Sequence, residues 1–204
     1  MPSILPQLAN QRRHSPAATG GFSMVELLVT LVIGIILASI AVPQFGSFIK
    51  TQQSVSEINN LMDDIQFARS EALKEGQFVT VCVSSSGTAC TSGAWNTGWL
   101  VCSNPAFTTS AQTCATGTSN ILRVQPGLTT SDSLVASPTN TTVTYNRDGF
   151  AAGLSTTGQL FTLHNSPTIT AGTRCLWLDV LGHMYIQTSG QGDATTAQGS
   201  NTCS

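Results

Sequence analysis

Three hydrophobic patterns follow one another along the chain. Residues 27–42 contain no charged side chain, and apolar residues then recur at helical spacing up to Ala72. Beyond Gly76 apolar and polar residues alternate, which is the period of β-strands. The pattern predicts an α+β protein in which a long N-terminal helix, residues 22–76, precedes a β-rich globular domain, residues 77–204.

The uncharged segment is long enough to cross a membrane. Together with the residues from Phe22 onward it approaches the ~20 residues that a bilayer needs, so we expect residues 22–43 to form a transmembrane helix. Pro43 lacks a backbone N–H, and we expect it to kink the helix where this segment ends.

The second half of the helix has a single apolar stripe, which begins at Phe45, Phe48 and Ile49. A single stripe predicts that the globular domain packs along this half of the helix only. The adjacent Asp63 and Asp64 are expected to lie on the solvated face. Gly76 is expected to end the helix as its C-cap.

Seven short segments with strand character follow the helix. Turn signals separate them, and the last two strands are expected to form an antiparallel hairpin around Leu181 and Gly182. Residues 104–119 and 126–140 are expected to be long loops, and residues 189–202 a polar tail. The predicted strands are 77–83, 98–103, 120–125, 141–146, 158–165, 173–180 and 183–188.

The composition points to an environment outside the cytoplasm. Only 9% of the residues are charged, well below the roughly 25% that is typical of soluble domains. All six cysteines lie downstream of the apolar segment, and their even number without any C-x-x-C favours disulfides over a zinc site or a redox motif. No metal site or cofactor is predicted.

Six cysteines allow 15 disulfide connectivities. If cysteines that are near in sequence pair with each other, each bridge closes a polar loop, and the last one holds the C-terminal tail. These pairs are Cys82–Cys90, Cys102–Cys114 and Cys175–Cys203.

Residues 1–21 have the character of a leader peptide. They contain Arg12 and Arg13, which favour a cytoplasmic location for this end of the apolar segment. A secretory signal places its apolar core before the cleavage site, whereas here the apolar segment follows Gly21. Cleavage after Gly21 would therefore leave the hydrophobic segment in the mature protein, with the cysteine-rich domain in the periplasm.

Glu26 is an unusual residue at the start of this segment. A carboxylate within a membrane is costly unless it is paired, so it predicts a function. The junction G-F-S-x-x-E and the apolar segment after it resemble the N-terminus of type IV pilins and of type II secretion pseudopilins. The resemblance implies that a prepilin peptidase cuts between Gly21 and Phe22 and methylates the amino group of Phe22. Glu26 would then pair with the α-amino group of a neighbouring subunit's Phe22 during assembly.

Further residues are similar to the GspH/FimT/FimU family of minor pilins and minor pseudopilins. They are the helix-to-strand turn ARSEALKEG (68–76), GWLV, and RCLWLDVLGHM near the C-terminus. This resemblance implies a pilin-like fold, with the long helix packed on antiparallel β-sheets. The implied partners are other minor and major pilins, or pseudopilins, together with the prepilin peptidase and an inner-membrane assembly platform.

The resulting hypothesis is a minor type IV pilin of the bacterial inner membrane that nucleates or caps pilus assembly. A minor pseudopilin of a type II secretion system is the alternative, because it would have the same motifs. The second alternative is a DNA-uptake pilin of natural transformation. In such pilins the final hairpin has a G-R-x-R pattern, whereas this chain has Gly182, His183, Met184 and Tyr185. We therefore expect no binding to nucleic acid.

An enzyme is not expected, because none of the common catalytic motifs is present. His14 lies in the leader, and His164 and His183 are expected to be surface or cross-strand residues. The three tryptophans are expected to belong to the core; they are Trp95, Trp99 and Trp177.

Overall fold

The computed structural model describes most of the chain in two compact units. One unit extends to Pro43, and the other begins at Gln44. Most of the predicted leader, of the loop 104–119 and of the tail 189–202 lies outside the described residues. Those described are 21–104, 114, 120–128, 132–154, 158–164, 172–189 and 203.

The N-terminal helix, α1, comprises Met24–Glu75. Near its start, the backbone N–H of Val25 lies 3.4 Å from Ser23 Oγ, the hydroxyl of a residue type that favours helix N-termini. At its end, Gly76 has a φ of 64°, and its N–H donates to the carbonyl of Ala72 at 3.0 Å. The left-handed conformation favours glycine, so the predicted C-cap is confirmed.

Nine strands in the described part of the chain form two antiparallel sheets. The order is β3-β2-β1-β5-β6 in the five-stranded sheet and β4-β7-β8-β9 in the four-stranded sheet. As predicted, β8 and β9 pair antiparallel around Gly182. The strands are β1 Phe78–Val83, β2 Gly98–Asn104, β3 Asn120–Pro126, β4 Ser133–Ser137, β5 Thr142–Tyr145, β6 Ala151–Ala152, β7 Gln159–His164, β8 Arg174–Leu178 and β9 Met184–Thr188.

The prediction of one long loop over residues 126–140 is wrong, because this region contains β4. Leu134 and Ala136 are buried, the residues between and beside them are exposed, and the strand pairs with β7. The alternation extends over only five residues in a Ser/Thr-rich region, and the pairing with β7 is what makes it a strand. The two-residue strand β6 was also not predicted.

The main core lies between the second half of α1 and both sheets. Ile58, Leu61 and Ile65 on the helix are 0–1% exposed, and they belong to one cluster with buried residues of both sheets. Strand residues of this cluster include Val79, Val81, Val101, Val143, Phe161, Leu163, Leu176 and Leu178.

Disulfides cover the other face of each sheet. Cys82–Cys90 and Cys102–Cys114 lie with Leu100 in a small cluster on the five-stranded sheet. Cys175–Cys203 lies with Leu160 and Trp177 in another cluster on the four-stranded sheet. The bridges thus join the cysteines that are near in sequence. They also explain why β1 and β8 are buried on both faces.

Candidate assembly site on the N-terminal helix

The residues of the predicted processing and assembly site lie at the start of α1. Gly21 and Phe22 precede the helix, and Phe22 is 81% exposed. Glu26 lies in the first turn of α1 and is exposed. A carboxylate at this position interacts favourably with the positive end of the helix dipole.

The helix surface from Leu27 to Ala41 is apolar on all sides. Residues Met24–Ala41 are long and apolar enough to cross a membrane by length and composition, and none of this segment is buried. Its large apolar side chains range from 48% exposed at Val32 to 86% at Met24. So much exposed apolar surface requires lipid or apolar partner surfaces around it.

The hydroxyl groups within this segment have partners in the helix itself. Thr30 Oγ1 donates to the carbonyl of Leu27 at 2.9 Å, and Ser39 Oγ donates to the carbonyl of Ile36 at 2.7 Å. These bonds remove the main cost of placing a hydroxyl in hydrocarbon. Pro43 lies within α1, and the kink stays a prediction.

The second unit also begins with an exposed apolar stripe. Phe45, Phe48 and Ile49 are 64%, 59% and 53% exposed. The domain does pack along the second half of the helix, as predicted, but it leaves the start of the stripe uncovered, and buried positions begin at Ser54. Periodicity identifies the apolar face of a helix but does not identify what covers it.

The expected solvated environment is wrong for Asp64. This carboxylate is 8% exposed, and its Oδ2 accepts a hydrogen bond from Trp99 Nε1 at 2.9 Å. Its Oδ1 lies 3.1 Å from the guanidinium of Arg123 on β3, and that guanidinium stacks 3.7 Å above the ring of Phe67. The carboxylate thus connects α1 to two strands of the five-stranded sheet.

Arg69 connects α1 to the other sheet. Its guanidinium donates to the carbonyls of Gly182 at 2.8 Å and Leu181 at 3.0 Å, in the turn between β8 and β9. Sequence reasoning missed this role and that of Asp64. Both residues belong to a charged pattern on the helix that is also typical of solvated faces, so no sequence signal distinguishes them from exposed residues.

Tyr145 lies close to this second connection. Its side chain is fully buried, and among the described residues its hydroxyl has no hydrogen-bond partner. Burial raises the pKa of the Tyr145 phenol well above its ordinary value, while the nearby Arg69 partly opposes this shift and Asp179 adds to it. The phenol is therefore neutral at all physiological pH values.

The tryptophans and the residues considered above for DNA binding lie either in the core or around the turn between β8 and β9. The three tryptophans are 0–7% exposed, which confirms that they are core residues. His183 is exposed, with Nδ1 3.0 Å from Asp179 Oδ2, and its neighbours Met184 and Tyr185 are half-buried. The turn between β8 and β9 thus presents one histidine beside an acidic residue.

Comparison with known proteins finds a match to a family model and matches to solved structures. The family model of the type II transport protein GspH matches residues 57–182, which is more than half of the chain. No curated protein is similar enough in sequence to count as a match. A crystal structure of the type IV minor pilin FimU from Pseudomonas aeruginosa strain PAO1, in space group P21, matches with a TM-score of 0.52 and 16% identity. It covers 78% of this chain and 99% of that one.

A second crystal structure of FimU from the same strain, in space group P65, matches with a TM-score of 0.49 and 17% identity over 75% of this chain and 99% of that one.

Proposed function

Because this chain belongs to the family of the type II transport protein GspH, whose members are minor pilins and pseudopilins, we propose that it is a minor type IV pilin that nucleates or caps a pilus. The observation that carries the proposal is the N-terminal arrangement. An exposed carboxylate, Glu26, lies five positions after Gly21 at the start of a helix whose first apolar segment, Met24–Ala41, is uncovered.

The proposed processing follows from this arrangement. A prepilin peptidase cuts between Gly21 and Phe22 and methylates the new amino group. The apolar segment then holds the subunit in the inner membrane, with its N-terminus at the cytoplasmic side and the disulfide-bonded domain in the periplasm. From there an assembly platform transfers the subunit to the growing filament, among other minor and major pilins.

Glu26 has an electrostatic role in this proposal. A carboxylate in hydrocarbon costs several kcal/mol when it is alone, and an opposite charge nearby reduces that cost. The α-amino group of a neighbouring subunit's Phe22 supplies this charge, so a subunit leaves the bilayer most favourably when it docks on another subunit.

Complementation of a deletion strain tests the proposal. Deletion of the gene should reduce surface piliation and twitching motility. Glu26→Ala should be cleaved normally, because the cut lies upstream, but it should be depleted from sheared pili. The matched control is Glu75→Ala, which removes an exposed carboxylate at the other end of the same helix and should be incorporated normally. Gly21→Val should accumulate as a longer membrane-bound precursor.

Two outcomes would contradict the proposal. One is a deletion strain with normal pili and normal protein secretion. The other is recovery of Glu26→Ala in sheared pili at the ratio of the unmodified subunit.

A minor pseudopilin of a type II secretion system is the second candidate. The observation that favours it is the match to the type II transport protein itself. Neighbouring genes separate the two functions, since minor pilin genes indicate a pilus, whereas genes for a secretion channel and a secretion ATPase indicate the secretion system. A deletion strain that retains twitching but loses exoprotein secretion would establish the second function.

A further inference from the structure

Four of the six cysteines form one cluster on the face of the five-stranded sheet that points away from the helix. We call Cys82, Cys90, Cys102 and Cys114 the four-cysteine cluster. They form two bridges, and the bridges touch, because the sulfur of Cys82 lies 3.8 Å from the sulfur of Cys114. The sulfurs of Cys82, Cys90 and Cys114 all lie within 4.8 Å of one another, and Cys102 is bonded to Cys114.

The separation of 3.8 Å between Cys82 and Cys114 fits two sulfurs of a metal–thiolate site. A tetrahedral Zn²⁺ ion with Zn–S bonds of about 2.3 Å holds neighbouring sulfurs about 3.8 Å apart. The contact between the two bridges already has this separation. Within each bridge the sulfurs are bonded, so the remaining sulfurs reach tetrahedral positions only when the bridges are open.

The cluster also has the scaffold that such a site needs. Cys82 lies on β1 and Cys102 on β2, so two ligands come from neighbouring strands of one sheet. Cys90 and Cys114 lie outside the strands, and their backbones are already joined, since Cys90 N–H donates to the carbonyl of Cys114 at 3.1 Å. Cys114 N–H lies 3.0 Å from the sulfur of Cys90, and a donor of this kind stabilises a metal-bound thiolate.

We propose that the reduced chain binds one thiophilic divalent cation, such as Zn²⁺, through the four thiolates of this cluster. Four thiols lose four protons when they bind the ion as thiolates. Oxidation to two disulfides removes four protons and four electrons from the same groups and leaves no thiolate. Metal and oxidant therefore compete for these sulfurs, and the subunit that has not yet been oxidised is the form that holds the ion. This inference holds for a pilus or a secretion subunit alike.

The third bridge provides a control within the molecule. Cys175 and Cys203 lie in a different cluster on the other sheet, with Leu160 and Trp177, and no other cysteine belongs to that cluster in the described part of the chain. Two thiols alone make a much weaker site than four. Metal should therefore protect the four-cysteine cluster and leave Cys175 and Cys203 unprotected.

Cobalt binding is the first test. The full chain is purified in detergent, reduced, freed of reductant under argon and titrated with Co²⁺. We expect one equivalent to bind with the intense visible absorption of tetrahedral cobalt thiolate, and Zn²⁺ to displace it. The oxidised chain should not bind. Replacing Cys82 and Cys114 with Ser should abolish the signal, and replacing Cys175 and Cys203 with Ser should preserve it.

The rate of oxidation is the second test and needs no variant. Glutathione disulfide is added to the reduced chain with and without Zn²⁺, and it accepts two electrons for each bridge formed. Alkylation and peptide mass spectrometry then report each bridge separately. We expect Zn²⁺ to slow Cys82–Cys90 and Cys102–Cys114 by roughly tenfold or more and to leave Cys175–Cys203 unchanged. Equal rates at all three bridges, or a reduced chain without the cobalt signal, would overturn the proposal.

Discussion

Asp63 and Asp64 are adjacent in sequence but have opposite environments. Asp63 is exposed, whereas Asp64 is buried and accepts the indole N–H of Trp99. Neighbouring residues on a helix point about 100° apart, so one faces water while the other faces the sheet. Substituting each residue in turn therefore measures what the buried carboxylate contributes to the free energy of unfolding, with the exposed carboxylate as the control.

Asp64→Ala should lower the free energy of unfolding by about 2–3 kcal/mol, because it leaves the Trp99 N–H buried without an acceptor and Arg123 without its ion pair. Asp63→Ala should change it by no more than about 0.5 kcal/mol. Urea unfolding of residues 44–204, followed by tryptophan fluorescence, measures both. Equal effects of the two substitutions would contradict the assigned role of Asp64.

The buried phenol of Tyr145 should make the free energy of unfolding depend on pH in the alkaline range. Burial raises its pKa in the folded state above the ordinary value of 10.0. The folded state then keeps its proton when the unfolded state loses it. The corresponding stability is fully present below pH 10 and declines as the pH rises above this value.

Tyr145→Phe should reduce this alkaline loss of stability. It should leave the unfolding free energy at pH 7 unchanged or higher, since the hydroxyl has no partner among the described residues. The control is Tyr185→Phe, which changes a half-buried tyrosine and should retain the alkaline loss. Urea unfolding between pH 7 and pH 11 measures both variants. An equal alkaline loss of stability in the two variants would contradict the assignment to Tyr145.

At the scale of elements, two glycines adopt the left-handed backbone conformation where the chain changes direction. Gly76 ends α1 with a φ of 64°, and Gly182 forms the turn between β8 and β9 with a φ of 82°. A Cβ at Gly76 would meet no atom within 4 Å, whereas at Gly182 it would lie 3.0 Å from Arg69 Cζ and 3.1 Å from the carbonyl oxygen of Gly149. A side chain would thus strain the backbone at both positions, but it would be crowded by neighbouring atoms only at Gly182.

Gly76→Ala should cost about 1 kcal/mol of stability through the left-handed backbone alone. Gly182→Ala should cost about 2–3 kcal/mol, because the added methyl group also displaces Arg69 from its two carbonyl acceptors. Thermal unfolding of the two variants separates these contributions. A larger loss at Gly76 would show that the connection between Arg69 and the turn has little energetic weight.

At the scale of the whole molecule, the charge distribution argues against DNA binding. From residue 77 onward there are three arginines and four aspartates. Arg123 is paired with Asp64, and Arg147 lies 5.8 Å above the ring of Phe78. Affinity for phosphates requires clustered basic side chains, which are absent from the described part of this domain.

The purified protein should therefore bind duplex DNA negligibly at physiological salt. Replacing His183 and Tyr185 with Arg restores the G-R-x-R pattern in the turn and should create salt-sensitive binding, which makes it the positive control. Fluorescence anisotropy measures both proteins. Micromolar, salt-sensitive binding by the unmodified chain would support a DNA receptor.

The sequence by itself determined the local features of this protein. The hydrophobic periods predicted the bounds of α1 within two residues and seven of the nine strands that occur in the described residues. The turn residues identified the β8–β9 hairpin, and the motifs ARSEALKEG, GWLV and RCLWLDVLGHM indicated the family that the match to GspH confirms. These features depend on interactions between residues near in sequence, where periodicity and backbone preference are sufficient. The disulfide pairs are different, because the sequence allowed 15 connectivities and the structure selects the one that joins cysteines near in sequence.

Only the tertiary structure decided which distant residues meet. β1 pairs with β5 about 60 residues later in the chain, and the five residues of β4 become a strand only by pairing with β7. Asp64 is buried because Trp99 and Arg123 are brought to it, although its neighbour remains in water. The contact between two separate disulfides has the same origin. Each of these depends on how sheets and helix pack, and a pattern along the chain does not encode that packing locally.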